Sequence, residues 1–204
     1  MRGKKRNVVA FTGAGVSAES GVPTFESMGQ SVRSKLSRHY CQQNRRGFFD
    51  LLLKMRMYCD RAKPNAAHMA LANYNIPVVT MNIDGLHYRA GSCDAIELHG
   101  SMRHVHCLGC KQVYPFEQVE SSIYCPVCNA PLESDVVLYG DEIPLLQSAF
   151  DRVTGKGVLL VIGTSYQTST ASFVTRMAES SGREIILVND QAASRVPDLI
   201  KKLT

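Results

Sequence analysis

Four cysteines and one histidine carry the most specific chemistry in this 204-residue chain. Cys107-Leu108-Gly109-Cys110 is answered, after fourteen intervening residues, by Cys125-Pro126-Val127-Cys128. Two tight turns, each presenting two thiolates, give the spacing that surrounds one tetrahedral Zn²⁺ with sulfur. Disulfides or a redox C-x-x-C would use the same residues, and His104 and His106 stand close enough to substitute as ligands. Four thiolates fill the coordination sphere, so such an ion braces a fold and keeps no open position for a reaction. Ahead of the first knuckle the apolar run Ala95-Ile96-Glu97-Leu98 ends in His99-Gly100. An imidazole titrating near ~6.5 suits proton transfer at neutral pH, although a strand-end histidine is more often structural. Cys41, Cys59 and Cys93 lack partner spacing and read as ordinary core or surface residues.

A second constellation suits a phosphate. Asn7-Val8-Val9-Ala10-Phe11-Thr12 is a β-type run that breaks at Gly13-Ala14-Gly15-Val16-Ser17. A strand, a glycine turn and a helix opening at Ser17 would point backbone N–H groups at an anion, and a Cβ there would hold a pyrophosphate away. The spacing departs from G-x-G-x-x-G, because Gly21 arrives six residues after Gly15. At the end of Ile76-Pro77-Val78-Val79-Thr80 stand Asn82 and Asp84. That edge of an open parallel sheet is where ligands bind, and Asp84 could equally cap the next helix as an Asx turn.

These residues need a scaffold, and the apolar pattern supplies one. Short β-type runs recur at 8–12, 76–80, 95–98, 135–139, 158–162 and 184–188, the later ones ending in Gly140-Asp141, Gly163-Thr164-Ser165 and Asn189-Asp190. Six strands alternating with helical stretches predict an α/β, doubly wound parallel sheet with contacts along one rim. Residues 30–73 read as helical, with Phe48, Phe49, Leu52 and Leu53 on one apolar helix and Asn65 capping another after Pro64.

Composition bounds the function class. A hydrophobic content of 45% supports a real core, in one domain or one domain with a small satellite. No apolar run reaches the ~18 residues of a membrane span. Met1-Arg2-Gly3-Lys4-Lys5-Arg6 precedes only a few apolar residues, so no secretory leader is read and a cytoplasmic setting is expected. The net charge of +5 is uneven: nine Lys/Arg against Asp50 and Asp60 make the segment from Arg33 to Lys63 +7, leaving −2 elsewhere. A solvated helical face is the expected reading of that segment, ahead of nucleic acid.

The glycine stretch from Gly13 to Phe25, Asn82-Ile83-Asp84-Gly85-Leu86-His87, Glu97-Leu98-His99-Gly100, the paired knuckles, Val137-Leu138-Tyr139-Gly140-Asp141-Glu142-Ile143-Pro144, Gly163-Thr164-Ser165 and Val188-Asn189 together resemble the ordered motifs of the sirtuins, NAD-dependent protein lysine deacylases. The resemblance runs from about Val8 to Asn189. It implies a Rossmann-like NAD-binding domain from 1–26, 75–102 and 134–204, and a smaller domain built from a helical part at 27–74 and a zinc-ribbon part at 103–133. It implies that Gly13, Ala14 and Gly15 cradle the pyrophosphate, with Gly163, Thr164 and Ser165 on the phosphate side and Asn189 near the adenosine ribose. Asp84 would hold the nicotinamide amide, Asn82 the ribose, and Phe25 would shield the ribose C1′ after nicotinamide leaves. Catalysis would rest on His99 with Asn82 and Asp84. His99 would take the proton of a ribose hydroxyl, and the products would be free lysine, nicotinamide and O-acyl-ADP-ribose. Cys107, Cys110, Cys125 and Cys128 would hold one structural Zn²⁺, and Val137, Tyr139 and Gly140 would pair with the acyl-lysine peptide. A monomer acting on acylated protein is expected, with acetyl as the acyl group, and neither nucleic acid nor a membrane as partner.

The chain departs from that pattern. Glu26 replaces an Arg, Met81 a Gln, Asp141 a Glu, and Thr170 stands where a Pro is common. These changes imply weaker NAD binding or an unusual substrate. They also leave open an NAD glycohydrolase, a mono-ADP-ribosyltransferase or a quiet NAD-binding module. Tyr58-Cys59-Asp60-Arg61 spells the Tyr-x-x-Arg of acidic-acyl removal but sits too close to Pro64; the matching positions, near Asp50 and Leu53, cannot bind a carboxylate.

Overall fold

The computed structural model describes residues 6–24, 27–164 and 169–204. Phe25, Glu26 and Ser165, which carry expectations above, lie outside the described residues. In chain order the elements are β1 (Val8–Thr12), α1 (Gly15–Ala18), α2 (Gln30–Arg33), α3 (Arg38–Gln43), α4 (Arg45–Arg61), α5 (Ala66–Asn73), β2 (Val78–Thr80), α6 (Leu86–Arg89) and β3 (Ala95–Glu97). Then follow β4 (His104–Cys107), β5 (Val113–Pro115), α7 (Gln118–Ser121), β6 (Leu132–Ser134), α8 (Leu146–Val153), β7 (Gly157–Ile162), α9 (Ser169–Ser180), β8 (Arg183–Val188) and α10 (Ala192–Leu203).

All five residues of β1 are buried, as expected of a parallel strand covered on both faces. The period-2 geometry of a strand sends Val8 and Ala10 toward α5 and α10, where they meet Leu71, Val196 and Ile200. Val9 and Phe11 point the other way, into Ala149, Val153 and Val174 of α8 and α9. The sheet is parallel throughout, in the order β3-β2-β1-β7-β8. The chain therefore winds outward from β1 to β3 and then restarts on the other flank of β1. That reversal falls between β1 and β7, and in such sheets the crevice outside the strand ends at the reversal is the ligand site. Register sets Thr12 beside Thr80 and Ile162, Thr80 beside Glu97, and Ile162 beside Val188. Gly13, Met81, Leu98, Gly163 and Asn189 thus emerge along one rim.

A second core joins the helical segment to the knuckles. Phe48, Phe49 and Leu52 of α4 pack on Phe116, Val119 and Leu132, beneath an antiparallel sheet ordered β5-β4-β6. Asn44 starts α4 by accepting from Gly47 N at 2.9 Å. The basic segment is tied down by this packing: Arg38 and Arg45 pair with Glu133, and Arg56 with Glu117. Its positive charge therefore meets counter-charges from the knuckle-bearing module as well as solvent.

Two local expectations are corrected. The apolar run 135–139 is not a sixth sheet strand. Val136 and Leu138 bury in the second core, Val137 N donates to His99 O at 2.9 Å, and Tyr139 makes an isolated bridge with Ser37. The alternation is real extended backbone, but its partners are loops. The helix expected to open at Ser17 instead spans Gly15–Ala18, a single turn with Ser17 buried inside it.

Arg183, at the start of β8, is 5% exposed and has no acidic partner among the described residues. Its Nε donates to Val153 O at 2.6 Å, Nη1 to Asn7 O and Val158 O, both at 3.3 Å, and Nη2 to Arg152 O at 3.4 Å and Thr154 O at 3.3 Å. Five N–H groups meet five carbonyls, three of them at the C-terminal end of α8, where a cation is favoured.

Candidate active site and metal centre

The glycine turn is shaped by what lies beneath it. Gly13 N donates to Ile162 O at 2.9 Å and Gly15 N to Gly163 O at 2.8 Å. A Cβ on Gly13 would stand 2.8 Å from Gly163 O, and one on Gly15 2.7 Å from Gly163 Cα. Gly163 itself has φ +61°, and its Cβ would meet Val16 N at 2.2 Å. These glycines are required by backbone-on-backbone packing across the sheet reversal, a reason separate from the clearance expected for a pyrophosphate. Within the turn the Ala14 N–H has no partner among the described residues. Thr164 is buried beside it, its N–H donating to Asn189 Oδ1 at 3.2 Å. A free N–H at the sheet reversal, over a floor that admits no side chain, fits an anionic dinucleotide.

Asn82 and Asp84 meet at the end of β2. Asn82 is 8% exposed and donates from Nδ2 to Ser17 Oγ at 3.1 Å and to Asp84 Oδ2 at 3.2 Å. Ser17 Oγ donates to Asp84 Oδ2 at 2.7 Å, while Asp84 Oδ1 accepts from Leu86 N at 2.9 Å. Asp84 thus accepts from the first N–H of α6 with one oxygen, as in an Asx turn, and joins the polar cluster with the other. Behind Ser17 lies His68, its Nε2 3.4 Å from the hydroxyl and its Nδ1 accepting from Asn65 N at 3.3 Å in the capping box of α5. The His87 ring lies tilted against that of His68, centroids 4.7 Å apart, and its Nε2 hydrogen-bonds with Thr12 Oγ1 at 2.9 Å. Burial holds both imidazoles neutral, lowering their pKa to about 4 for His68 and about 3 for His87.

His99 arrives on the same rim. Leu98 N donates to Thr80 O at 2.8 Å, placing the histidine two residues beyond β3 and beside Met81. Its ring is half-buried and bonds the Met81 backbone. Burial lowers its pKa and that hydrogen bond partly offsets the effect, favouring the neutral ring with one N–H engaged; the other nitrogen has no hydrogen-bond partner among the described residues. The position is tightly set: Gly100 has φ +71°, and a Cβ there would stand 1.8 Å from Asp135 O. Met81 packs its side chain against the core formed by Val9 and Phe11.

The four knuckle sulfurs converge, all lying within 4.8 Å of one another. Cys107 and Cys128 Sγ are 3.3 Å apart and Cys110 and Cys125 Sγ 3.7 Å. Four sulfurs at ~2.3 Å from a tetrahedral Zn²⁺ would be about 3.8 Å apart, whereas a disulfide needs ~2.05 Å. The two knuckles are built alike. Lys111 and Asn129, at φ +62° and +59°, close them by donating to Cys107 O and Cys125 O. Gly109 N and Cys110 N point at Cys107 Sγ from 3.3 and 3.4 Å. His104 and His106 stand outside the cluster, and His106 contacts Asp135 instead.

Val137, Tyr139 and Gly140 lie on the segment leading away from His99. The Tyr139 ring is 54% exposed. Its backbone is already engaged, N–H to Leu36 O at 3.0 Å and C=O from Arg38 N at 2.9 Å. Tyr58 and Arg61 are exposed on α4, and Asp50 pairs with Arg46. Sequence reasoning missed Ser17, His68 and Arg38. The one local signal for His68 was its place three residues after the Asn65 cap.

The model of the Sir2 family matches residues 13–170. An NAD-dependent protein deacetylase of Caldivirga maquilingensis is 34% identical over 200 residues, covering 90% of this chain and 78% of that one. An NAD-dependent protein deacylase of Thermococcus sibiricus is 35% identical over 213 residues, covering 94% and 84%. Among solved structures, a Sir2 complex with EX-527, 2′-O-acetyl-ADP-ribose and deacetylated p53 peptide superposes with TM-score 0.81 at 28% identity, covering 97% and 92%.

Proposed function

This chain belongs to the Sir2 family, and from that premise we propose that it removes acyl groups, acetyl first among them, from protein lysines at the expense of NAD. The observation that carries the reading is the meeting, on one rim, of a glycine floor at the sheet reversal, the Ser17–Asn82–Asp84 cluster and a neutral His99.

NAD supplies an electrophilic ribose carbon and a leaving nicotinamide. Gly13, Ala14 and Gly15 would receive the pyrophosphate, with Gly163, Thr164 and Ser165 on its other side and Asn189 toward the adenosine ribose. Ser17 and Leu86 N hold Asp84, which would meet the nicotinamide amide, and the same hydroxyl holds Asn82, which would face the ribose. Phe25 would shelter the reacting carbon. The free nitrogen of His99 takes the proton of a ribose hydroxyl, because the Met81 bond fixes which nitrogen carries hydrogen. Val137, Tyr139 and Gly140 would border the peptide. The cysteine cluster would hold one Zn²⁺ as a brace joining β4 to the 125–128 turn, remote from proton transfer.

The chain would act as a monomer in the cytoplasm; separately, no helix among the described residues is long and apolar enough to cross a membrane. The test is incubation with NAD and acetyl- or succinyl-lysine peptides, with nicotinamide and O-acyl-ADP-ribose followed by mass spectrometry. Peptide-dependent appearance of both supports the deacylase. Nicotinamide released equally without peptide would instead identify a glycohydrolase, and silence in every mixture a binding module.

A further inference from the structure

Arg38 opens α3 in the helical segment, yet every group it engages belongs to another part of the chain. Its Nε and Nη2 reach Asp141 Oδ1 and Oδ2, both at 2.7 Å, a bidentate fork. Its Nη1 reaches Glu133 Oε1 at 2.7 Å, and its backbone N–H donates to Tyr139 O at 2.9 Å. Glu133, 7% exposed on β6, is held a second time by Arg45 at 3.1 Å. Asp141 in turn accepts from Leu138 N at 3.0 Å and donates its own N–H to Leu138 O at 3.0 Å, closing a turn over Gly140 at φ +97°.

The consequence lies in what remains unpaired. Successive residues of an extended segment direct their N–H and C=O to opposite edges. The Val137 and Tyr139 edge is filled by His99, Leu36 and Arg38. On the opposite edge Leu138 is consumed by the Asp141 turn, while the Gly140 N–H and C=O have no partner among the described residues. A peptide adding alongside this segment therefore has Gly140 as its free anchor, two residues past Leu138 and beside the exposed Tyr139 ring.

We propose that Arg38 is a positioning residue for the acyl-lysine peptide: by gripping Asp141 and Glu133 together it sets the 138–141 turn and aims the unpaired Gly140 backbone at the substrate strand. This rests on the deacylase reading and adds to it a residue from the helical segment that touches neither NAD nor the acyl group. The Lys stem could not reproduce the grip, because an ammonium offers no planar fork for two carboxylate oxygens.

The experiment measures initial rates of full-length wild type, Arg38→Met, Asp141→Asn and the double variant. Acetyl-peptide is varied at saturating NAD, and NAD at saturating peptide, with melting temperature recorded for each. Arg38→Met is expected to raise the peptide KM about tenfold while kcat and the NAD KM stay within twofold. Asp141→Asn, which leaves Arg38 on Glu133, should raise the peptide KM in the same sense. The double variant should be no worse than the worse single. An unchanged peptide KM in both single variants, or a fall in kcat with equal rises in both KM values, would overturn the role. Multiplicative effects in the double variant would also overturn it. Should Arg38→Met fail to fold, Asp141→Asn decides alone. A wild type that yields no deacylated peptide removes the deacylase reading, and this inference with it; a wild type that works with insensitive variants removes only the inference.

Discussion

Arg183→Met would test how far a single buried cation secures the sheet. The side chain's five N–H groups serve Asn7, Arg152, Val153, Thr154 and Val158 carbonyls, at 2.6 to 3.4 Å. Hydrogen bonds from a charged donor contribute about 1.5 to 3 kcal/mol each. Summing five would overshoot, because burying a guanidinium costs several kcal/mol and the Met side chain refills the space of the stem. The carbonyls cannot be removed with the donor, however. The Arg152, Val153 and Thr154 groups end α8 and would be left in a site that admits little water, at about 1 to 3 kcal/mol for each one that stays unpaired. A net loss of roughly 3 to 5 kcal/mol follows, which in a chain of this size lowers Tm by about 6 to 20 °C at ~2 to 4 °C per kcal/mol. Thermal unfolding by circular dichroism, with urea titration beside it, reads the effect. Arg183→Lys should fall between the two, keeping the charge with three donors and no fork. A Met variant that melts within about 2 °C of wild type would refute the claim that these carbonyls depend on Arg183.

Five further outcomes are expected. His99→Ala should abolish formation of deacylated peptide and O-acyl-ADP-ribose while leaving the melting temperature near that of wild type. In the wild type the acidic limb of kcat/KM against pH should inflect below the ordinary histidine value, because burial lowers the pKa of the base and lets it stay unprotonated in milder acid. Gly100→Ala should lower both stability and kcat, since the new Cβ meets Asp135 O and displaces the adjoining histidine; equal activity in steady-state assays would contradict the tight seat described. Acid should weaken the fold through His68 and His87. Their folded pKa values, about 4 and about 3, lie below the unfolded ~6.5, so between those limits the unfolded chain binds more protons and stability falls with pH. Two such groups give a slope of up to about 2.7 kcal/mol per pH unit, and urea midpoints that are flat from pH 7 to 5 would exclude it. Chelation of Zn²⁺ should unfold the β4–β6 module, seen as new protease cleavage within 103–133, and Cys125→Ser should mimic it.

How much of this was legible before any coordinates depended on how local each signal is. The parallel strands at 8–12 and 158–162 announce themselves because a strand covered on both faces is apolar at nearly every step, whereas 184–188, on the sheet edge, is marked by its run Ile185-Ile186-Leu187-Val188 and keeps Glu184 and Leu187 exposed. The knuckles are equally plain, two thiols per turn at fixed spacing. Asn65 was readable as a cap because the following helix begins at once. The run 135–139 misled because alternation reports an extended backbone and says nothing of its partner, which here is His99 on one module and Ser37 on the other. Arg38 and Asp141 are 103 positions apart, and no window along the chain can connect them. The segment from Arg33 to Lys63 was judged by its own charge, while Glu117 and Glu133, which answer much of it, lie on the other side of β2 and β3 in the sequence. Ser17 was visible as a helix opening but not as the hydroxyl joining Asn82 to Asp84, because that junction exists only once β1 and β2 lie side by side.

Gly13, Gly15 and Gly163 leave no room for even a methyl group where they touch: Gly163 blocks a side chain at Gly13 and at Gly15, and Gly15 with Val16 blocks one at Gly163. None of the three can change alone; alteration would demand concerted retreat of two main-chain segments that are also stitched by the Gly15–Gly163 hydrogen bond. The bottom of the crevice is therefore inherited whole, like a hinge plate cast in one piece. Any variation in this crevice has to fall on the residues around it, Met81 on the same rim among them.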